Sequence, residues 1–203
     1  MTLALPRIDT KPLAKTLLKT FGGLAGVFDA LPKDLQAVKG VGPKVSSVLS
    51  VVKEVCTAYL KDHLMKSEVL NTPQAVVDYA RMVLVGKRHE VVMVIFVDSR
   101  NHPIKIQPLF EGTVNESAVY PRRIVEEALS ASAVGLILVH NHPSGGVSPS
   151  PQDMDLTKRV HEAAKTLEVK LLDHVIVGRE GHFSFYEAGY LPREPRKNGS
   201  QRV

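Results

Sequence analysis

The chain has a single cysteine, Cys56, in 203 residues. No intrachain disulfide can form, and no zinc site can be built from cysteine thiolates. Cys56 falls near Val51, Val52 and Leu60 on a predicted helix, where it reads as a packed thiol. Long apolar runs are also missing. The two longest, Val91 to Val97 and Val134 to Val139, are of strand length and fall far short of the roughly 20 residues that cross a bilayer. The start, MTLALPRIDTKPLAK, is briefly apolar but has no basic segment followed by a hydrophobic one. No signal peptide and no membrane anchor is expected, and the cytoplasm is the expected compartment. Acidic residues are scarce at the two ends. Residues 1–62 hold nine basic and five acidic side chains, and the segment from Arg193 adds four basic and one acidic. The net charge of +5 therefore sits at the termini, and the middle of the chain is near neutral. With 44% hydrophobic and 23% charged residues, disordered and collagen-like classes are excluded. The length suffices to bury a core without disulfide staples.

The residues present divide the chain in two. Residues 10–65 read as helical throughout. Leu13, Leu17 and Leu18 form a stripe ended by Gly22-Gly23, and short helices follow at Leu24 to Leu31 and Pro32 to Val38. A long helix runs from Pro43 to about Met65, with proline in the first turn, where its missing N–H costs nothing. Residues 62–71 are polar and weakly patterned. Thr72-Pro73 opens a helix to about Val85, and the period then changes. Strands are predicted at Val91–Val97, Ile104–Phe110, Val134–His142, Val169–Val177 and His182–Tyr186, with helices at Arg122–Ala131 and Pro151–Leu167. The expected organisation is a small helical domain at 1–65, an α/β domain at 66–191 and a disordered basic tail at 192–203.

The chemistry concentrates in residues 139–153, VHNHPSGGVSPSPQD. Side chains two apart on a strand point the same way, so His140 and His142 can meet one ion. Pro143 ends the strand, a Gly/Ser/Pro loop turns the chain, and Asp153 returns on the first turn of a helix. Two histidines and one carboxylate leave a coordination position open for water, the arrangement of catalytic zinc. Ser150 and Asp153 also satisfy a helix capping box with Pro151 at its first position, so capping alone accounts for that pair.

His140-Asn141-His142-Pro143-Ser144-Gly145, followed by Pro149-Ser150 and Asp153, resembles the signature of the RadC family. Its members carry a JAB/MPN domain with the JAMM metal motif. Glu111-Gly112-Thr113, Tyr120 to Val125 and Leu171 to Gly178 resemble further blocks of the family, so the likeness spans roughly Ile8 to Leu191. The resemblance implies an MPN/JAB-like (cytidine-deaminase-like) α/β domain with a mixed sheet, behind a helix-hairpin-helix domain. It implies a zinc metallopeptidase that hydrolyses peptide or isopeptide bonds, with one Zn2+ per chain on His140, His142 and Asp153. It assigns Ser150 to the oxyanion and Glu90, at the start of the first strand, to general acid/base work. From the residues alone, Glu90 reads as an exposed carboxylate at a strand start. Asp173-His174 reads as a structural hydrogen-bonded pair, with extra ligation or support of the ligands as alternatives. His89, His102, His161 and His182 read as surface histidines.

Lys39-Gly40-Val41-Gly42-Pro43-Lys44 lies between two predicted helices and looks like a helix-hairpin-helix. Its glycines permit a tight turn at a helix N-terminus, and Lys39 and Lys44 add charge, a combination suited to weak, sequence-independent contact with the DNA backbone. A plain turn between packed helices is the other reading. Two functions from different classes therefore stand: a zinc peptidase acting on a peptide or protein, and a DNA-binding repair or recombination accessory with a structural or vestigial metal site. A metal-dependent nuclease ranks below both. No P-loop or dinucleotide fingerprint is present, and neither His89-Glu90 nor His161-Glu162 extends to a zincin motif.

Overall fold

A computed structural model describes residues 9–112 and 120–192. Ile8, Thr113 and all of the expected tail beyond residue 192 lie outside the described residues. In chain order the elements are α1 (Lys11–Phe21), α2 (Leu24–Asp29), α3 (Pro32–Gln36), α4 (Pro43–Met65), α5 (Pro73–Leu84), β1 (Val91–Val97) and β2 (Pro103–Glu111). They continue as α6 (Pro121–Ser130), β3 (Gly135–Asn141), α7 (Pro151–Thr166), β4 (Lys170–Gly178) and β5 (Gly181–Ser184). Every helix except α2 carries a proline in its first turn, which is why the starts were readable from sequence. The last strand stops at Ser184, two residues short of the sequence expectation. There the chain folds into a turn in which the Ala188 N–H reaches the Ser184 carbonyl.

The five strands form a mixed sheet in the order β2-β1-β3-β4-β5. β3 and β4 are parallel, joined through α7, and the other neighbours are antiparallel. β1 lies inside the sheet with all seven residues buried, as the unbroken run VVMVIFV demands of a strand covered on both faces. Alternation sorts its side chains. Val92, Val94 and Phe96 join Leu136, Leu138 and Ile176 under α6 and α7, through Ile124, Ala128, Leu156 and Val160. Val91, Met93, Ile95 and Val97 face the other way, onto α5 and the end of α4, through Val76, Ala80, Leu84 and Leu64. Each large side chain fully buried here contributes on the order of 1.5–3 kcal/mol.

A third, smaller apolar cluster lies among the first four helices, at Leu17, Val27, Leu35, Val41 and Val45. Two ion pairs tie this region down. Lys53 meets Asp29 at 2.9 Å, and Arg88, just before β1, meets Asp34 at 2.7 Å.

The fold fixes one end of the sheet with unusual closeness. Arg81 on α5 donates to the carbonyls of Gly178 and Gly181 at 2.9 and 2.7 Å, holding the β4–β5 turn. Against that turn lies the loop after β3, where the Glu180 N–H donates to the Gly145 carbonyl at 3.1 Å. A Cβ on Gly178 would collide with the Gly145 carbonyl, so glycine is required for the two backbones to meet. The loop that joins His142 to α7 is thereby seated on the sheet.

Candidate metal centre

The β1–β3 register builds the site. Val92 pairs with His140 at the end of the β1–β3 ladder, and alternation puts His140 on the face covered by α7; Glu90, two residues before Val92, lies close enough to His142 for its charge to act on that imidazole. Asp153 enters from the first turn of that helix. Ser150 caps it, and both halves of the capping box are formed. His140, His142 and Asp153 meet as a group that could hold a metal ion. His140 Nε2 lies 3.0 Å from His142 Nε2 and 3.1 Å from Asp153 Oδ1, and His142 Nε2 lies 3.3 Å from Asp153 Oδ2. A tetrahedral ion with ligand bonds of 2.0–2.1 Å separates its ligand atoms by about 3.3 Å. The donor set therefore fits zinc in its chemistry; the two imidazoles stand near that spacing, each facing a different Asp153 oxygen, and one ligand atom from each residue lies within 4.8 Å of the others.

Asp153 is 2% exposed, and its ion-pair partners among the described residues are the two imidazoles, with no lysine or arginine. Burial acts to raise its carboxyl, but hydrogen bonds from His140, His142 and Ser150 outweigh it and hold the group far below the usual carboxylate range. Oδ2 accepts from the Ser150 N–H and hydroxyl, both at 2.7 Å, and also faces His142 at 3.3 Å, while Oδ1 faces His140. Capping and ligation are thus compatible in one residue. The Asp153 hydrogen bond raises the His142 pKa against burial, and the negative charge of Glu90 adds to the rise. Glu90 is half-buried.

Behind the ligands runs a chain that the sequence did not reveal. The Thr157 hydroxyl lies 2.6 Å from the Asp153 carbonyl and 2.6 Å from His174 Nδ1, and His174 Nε2 lies 2.8 Å from His140 Nδ1. A carbonyl only accepts, so the hydroxyl donates to it and accepts from His174 Nδ1–H. His174 Nε2 then carries a lone pair and accepts from His140 Nδ1–H. Nε2 of His140 is thus the atom turned to His142 and Asp153: without an ion it carries the proton shared with Asp153 Oδ1 at 3.1 Å, and giving that proton up to a metal would leave the neutral Nδ1–H tautomer a ligand needs. Complete burial, with the His140 charge adding to it, drives the His174 pKa well down, so the ring stays neutral, stacked on Phe185 at 4.8 Å.

Asp173 and His174 are hydrogen-bonded, through the His174 N–H at 2.7 Å, while the His174 ring supports His140, one of the alternatives the sequence leaves open. Asp173 also accepts from the Tyr186 N–H and the Ser184 hydroxyl, bracing the end of β5. Thr157 had one available signal, its place one helical turn after Asp153. Of the other histidines, His89 and His182 are exposed, whereas His102 and His161 are half-buried. The hairpin residues Lys39, Gly40, Gly42 and Lys44 are exposed on the helical region and take no part in the metal group.

This is a buried two-histidine, one-aspartate group on a mixed α/β sheet, the makings of a metal-binding domain. A family model described as a RadC-like JAB domain matches residues 70–190. A UPF0758 protein of Leptothrix cholodnii is 43% identical over 179 residues, covering 88% of this chain and 81% of the relative. A UPF0758 protein of Methylibium petroleiphilum is 41% identical with the same coverage. One from Burkholderia mallei is 37% identical over 187 residues, 92% of this chain and 67% of its own. The chain belongs to the RadC family.

Thr157→Val removes the hydroxyl that orients His174. Zinc affinity, measured by competition with a chelator, should fall about 10- to 100-fold, the usual cost of losing a partner that orients a ligand. Unchanged affinity would contradict the role given to the Thr157–His174 chain.

Proposed function

We propose that this chain is a zinc-dependent metallopeptidase of JAMM type, hydrolysing a peptide or isopeptide bond. The observation that carries the reading is the buried Asp153 carboxylate, partnered by two imidazoles close enough to share one ion, with the Glu90 charge acting on His142. Bound zinc supplies Lewis acidity and brings the pKa of a coordinated water down to near neutrality. His140, His142 and Asp153 hold the ion. The Glu90 carboxylate takes a proton from the attacking water and returns it to the leaving amine nitrogen, so that the C–N bond breaks without expelling an anion. The Ser150 hydroxyl, one residue before the α7 helix, rests on Asp153 Oδ2 at 2.7 Å and serves the oxyanion by swinging its one proton to the oxygen of the scissile carbonyl as negative charge develops there.

A screen of peptide and isopeptide model substrates with the zinc-loaded full chain tests this. Cleavage should occur and should fall by about 10²- to 10⁴-fold in Glu90→Gln with zinc retained. Cleavage equal in Glu90→Gln, or none by the zinc-loaded chain across both substrate classes, would contradict the reading.

A second reading concerns the hairpin and an accessory role in DNA repair or recombination. It is supported by the local geometry. Val41 is buried as an anchor, Gly40 adopts φ +93°, and Lys39, Gly40, Gly42 and Lys44 are exposed around it. We infer that this turn contacts DNA phosphates without reading bases. The double variant Lys39→Ala/Lys44→Ala should lower the slope of log affinity against log salt by about 1.8, two phosphate contacts' worth. An unchanged slope would remove the hairpin from the DNA reading.

A further inference from the structure

The backbone ladder between β1 and β3 ends at the Val92–His140 pair. Beyond it β3 remains paired with β4, the His142 N–H donating to the Val177 carbonyl at 3.1 Å. Residues 89–91 therefore lose their main-chain partner on that side at the position where Glu90 must be held. The side chain of Asn141 takes over. Its Oδ1 accepts from the Val91 N–H at 2.8 Å, and its Nδ2 donates to the His89 carbonyl at 3.1 Å. A carboxamide offers one acceptor and one donor side by side, as a peptide group does, so it continues the ladder by one more step. Asn141 is fully buried, at 0% exposed. On the opposite edge the Glu90 carbonyl accepts from the Gly112 N–H at 3.0 Å. The residue carrying the carboxylate is thus clamped between β2 and the Asn141 side chain.

We propose that Asn141 is a positioning residue for Glu90. By bridging the peptides on both sides of Glu90, it fixes the carboxylate relative to the ion held by the two histidines that flank Asn141 in sequence. The same two residues of strand alternation that aim His140 and His142 at the metal aim Asn141 away from it, toward β1. Ligand pair and clamp are therefore set by one tripeptide. The inference rests on the reading of Glu90 as the group that faces the metal.

The test uses the full chain loaded with cobalt(II), whose visible absorption reports the surroundings of the ion. It compares wild type, Glu90→Gln, Asn141→Ala and Asn141→Asp. Glu90→Gln should shift the cobalt band. Asn141→Ala should shift it in the same direction, while cobalt affinity changes by less than about tenfold, below the cost of losing a ligand-orienting partner. Amide exchange at Val91 should speed up about tenfold, as expected for one lost hydrogen bond. Asn141→Asp keeps the acceptor for Val91 but turns a carboxylate oxygen onto the His89 carbonyl, and should lie between wild type and Asn141→Ala. It decides the matter in the same way if Asn141→Ala does not fold. A band that moves in Glu90→Gln but stays at the wild-type position in both Asn141 variants would overturn the inference alone. A band unmoved in Glu90→Gln would overturn the peptidase reading, and the inference with it.

Discussion

A carboxylate buried at 2% exposure without a lysine or arginine is costly, because its charge has left water and found no full countercharge. Much of this molecule near residue 153 can be understood as compensation for that placement. Ser150 gives two hydrogen bonds to one oxygen, the N-terminus of α7 supplies its dipole, and an imidazole faces each oxygen. None of these brings a permanent positive charge. A divalent cation does, and one ligand atom from each of the three residues lies within 4.8 Å of the others. The Thr157–His174 chain then links the carbonyl of Asp153 to the far nitrogen of His140, so the two ligands are oriented by one network instead of independently.

The sheet supplies the rest. The β1–β3 pairing brings Glu90, fifty residues earlier in the chain, near enough to the histidine pair for its charge to act on His142. A slip of one residue would turn Glu90 to the α5 side and bury Val91 under α7. The slip is opposed by both apolar clusters, since every β1 side chain would change layers. The site is therefore protected by core packing, and the loop beyond His142 is seated by the close contact of Gly145 with Gly178.

Most of this architecture was legible in the amino-acid sequence. Prolines marked the helix starts, a seven-residue apolar run marked β1 as an interior strand, and the His140/His142 alternation marked one face of β3. What stayed hidden depended on register and on side-chain reach. Asp173 and His174 are neighbours in sequence and share a hydrogen bond through the His174 N–H, but in a strand neighbours point to opposite faces, and each side chain found a different further partner. The contacts of Asn141 come from β1, and nothing in the local sequence announces which strand lies alongside. Asp153 was legible as a cap partner and as a metal ligand, and only the geometry shows one carboxylate meeting Ser150 and both imidazoles at once.

The account rests on His140, His142 and Asp153 binding zinc, and the most direct test is metal stoichiometry. The full chain, reconstituted with zinc and desalted, would be compared with the His140→Ala/His142→Ala double variant by elemental analysis. The account predicts about one zinc per chain in the first and none retained in the second. No zinc in the wild-type chain after reconstitution, or the same content in both, would contradict it.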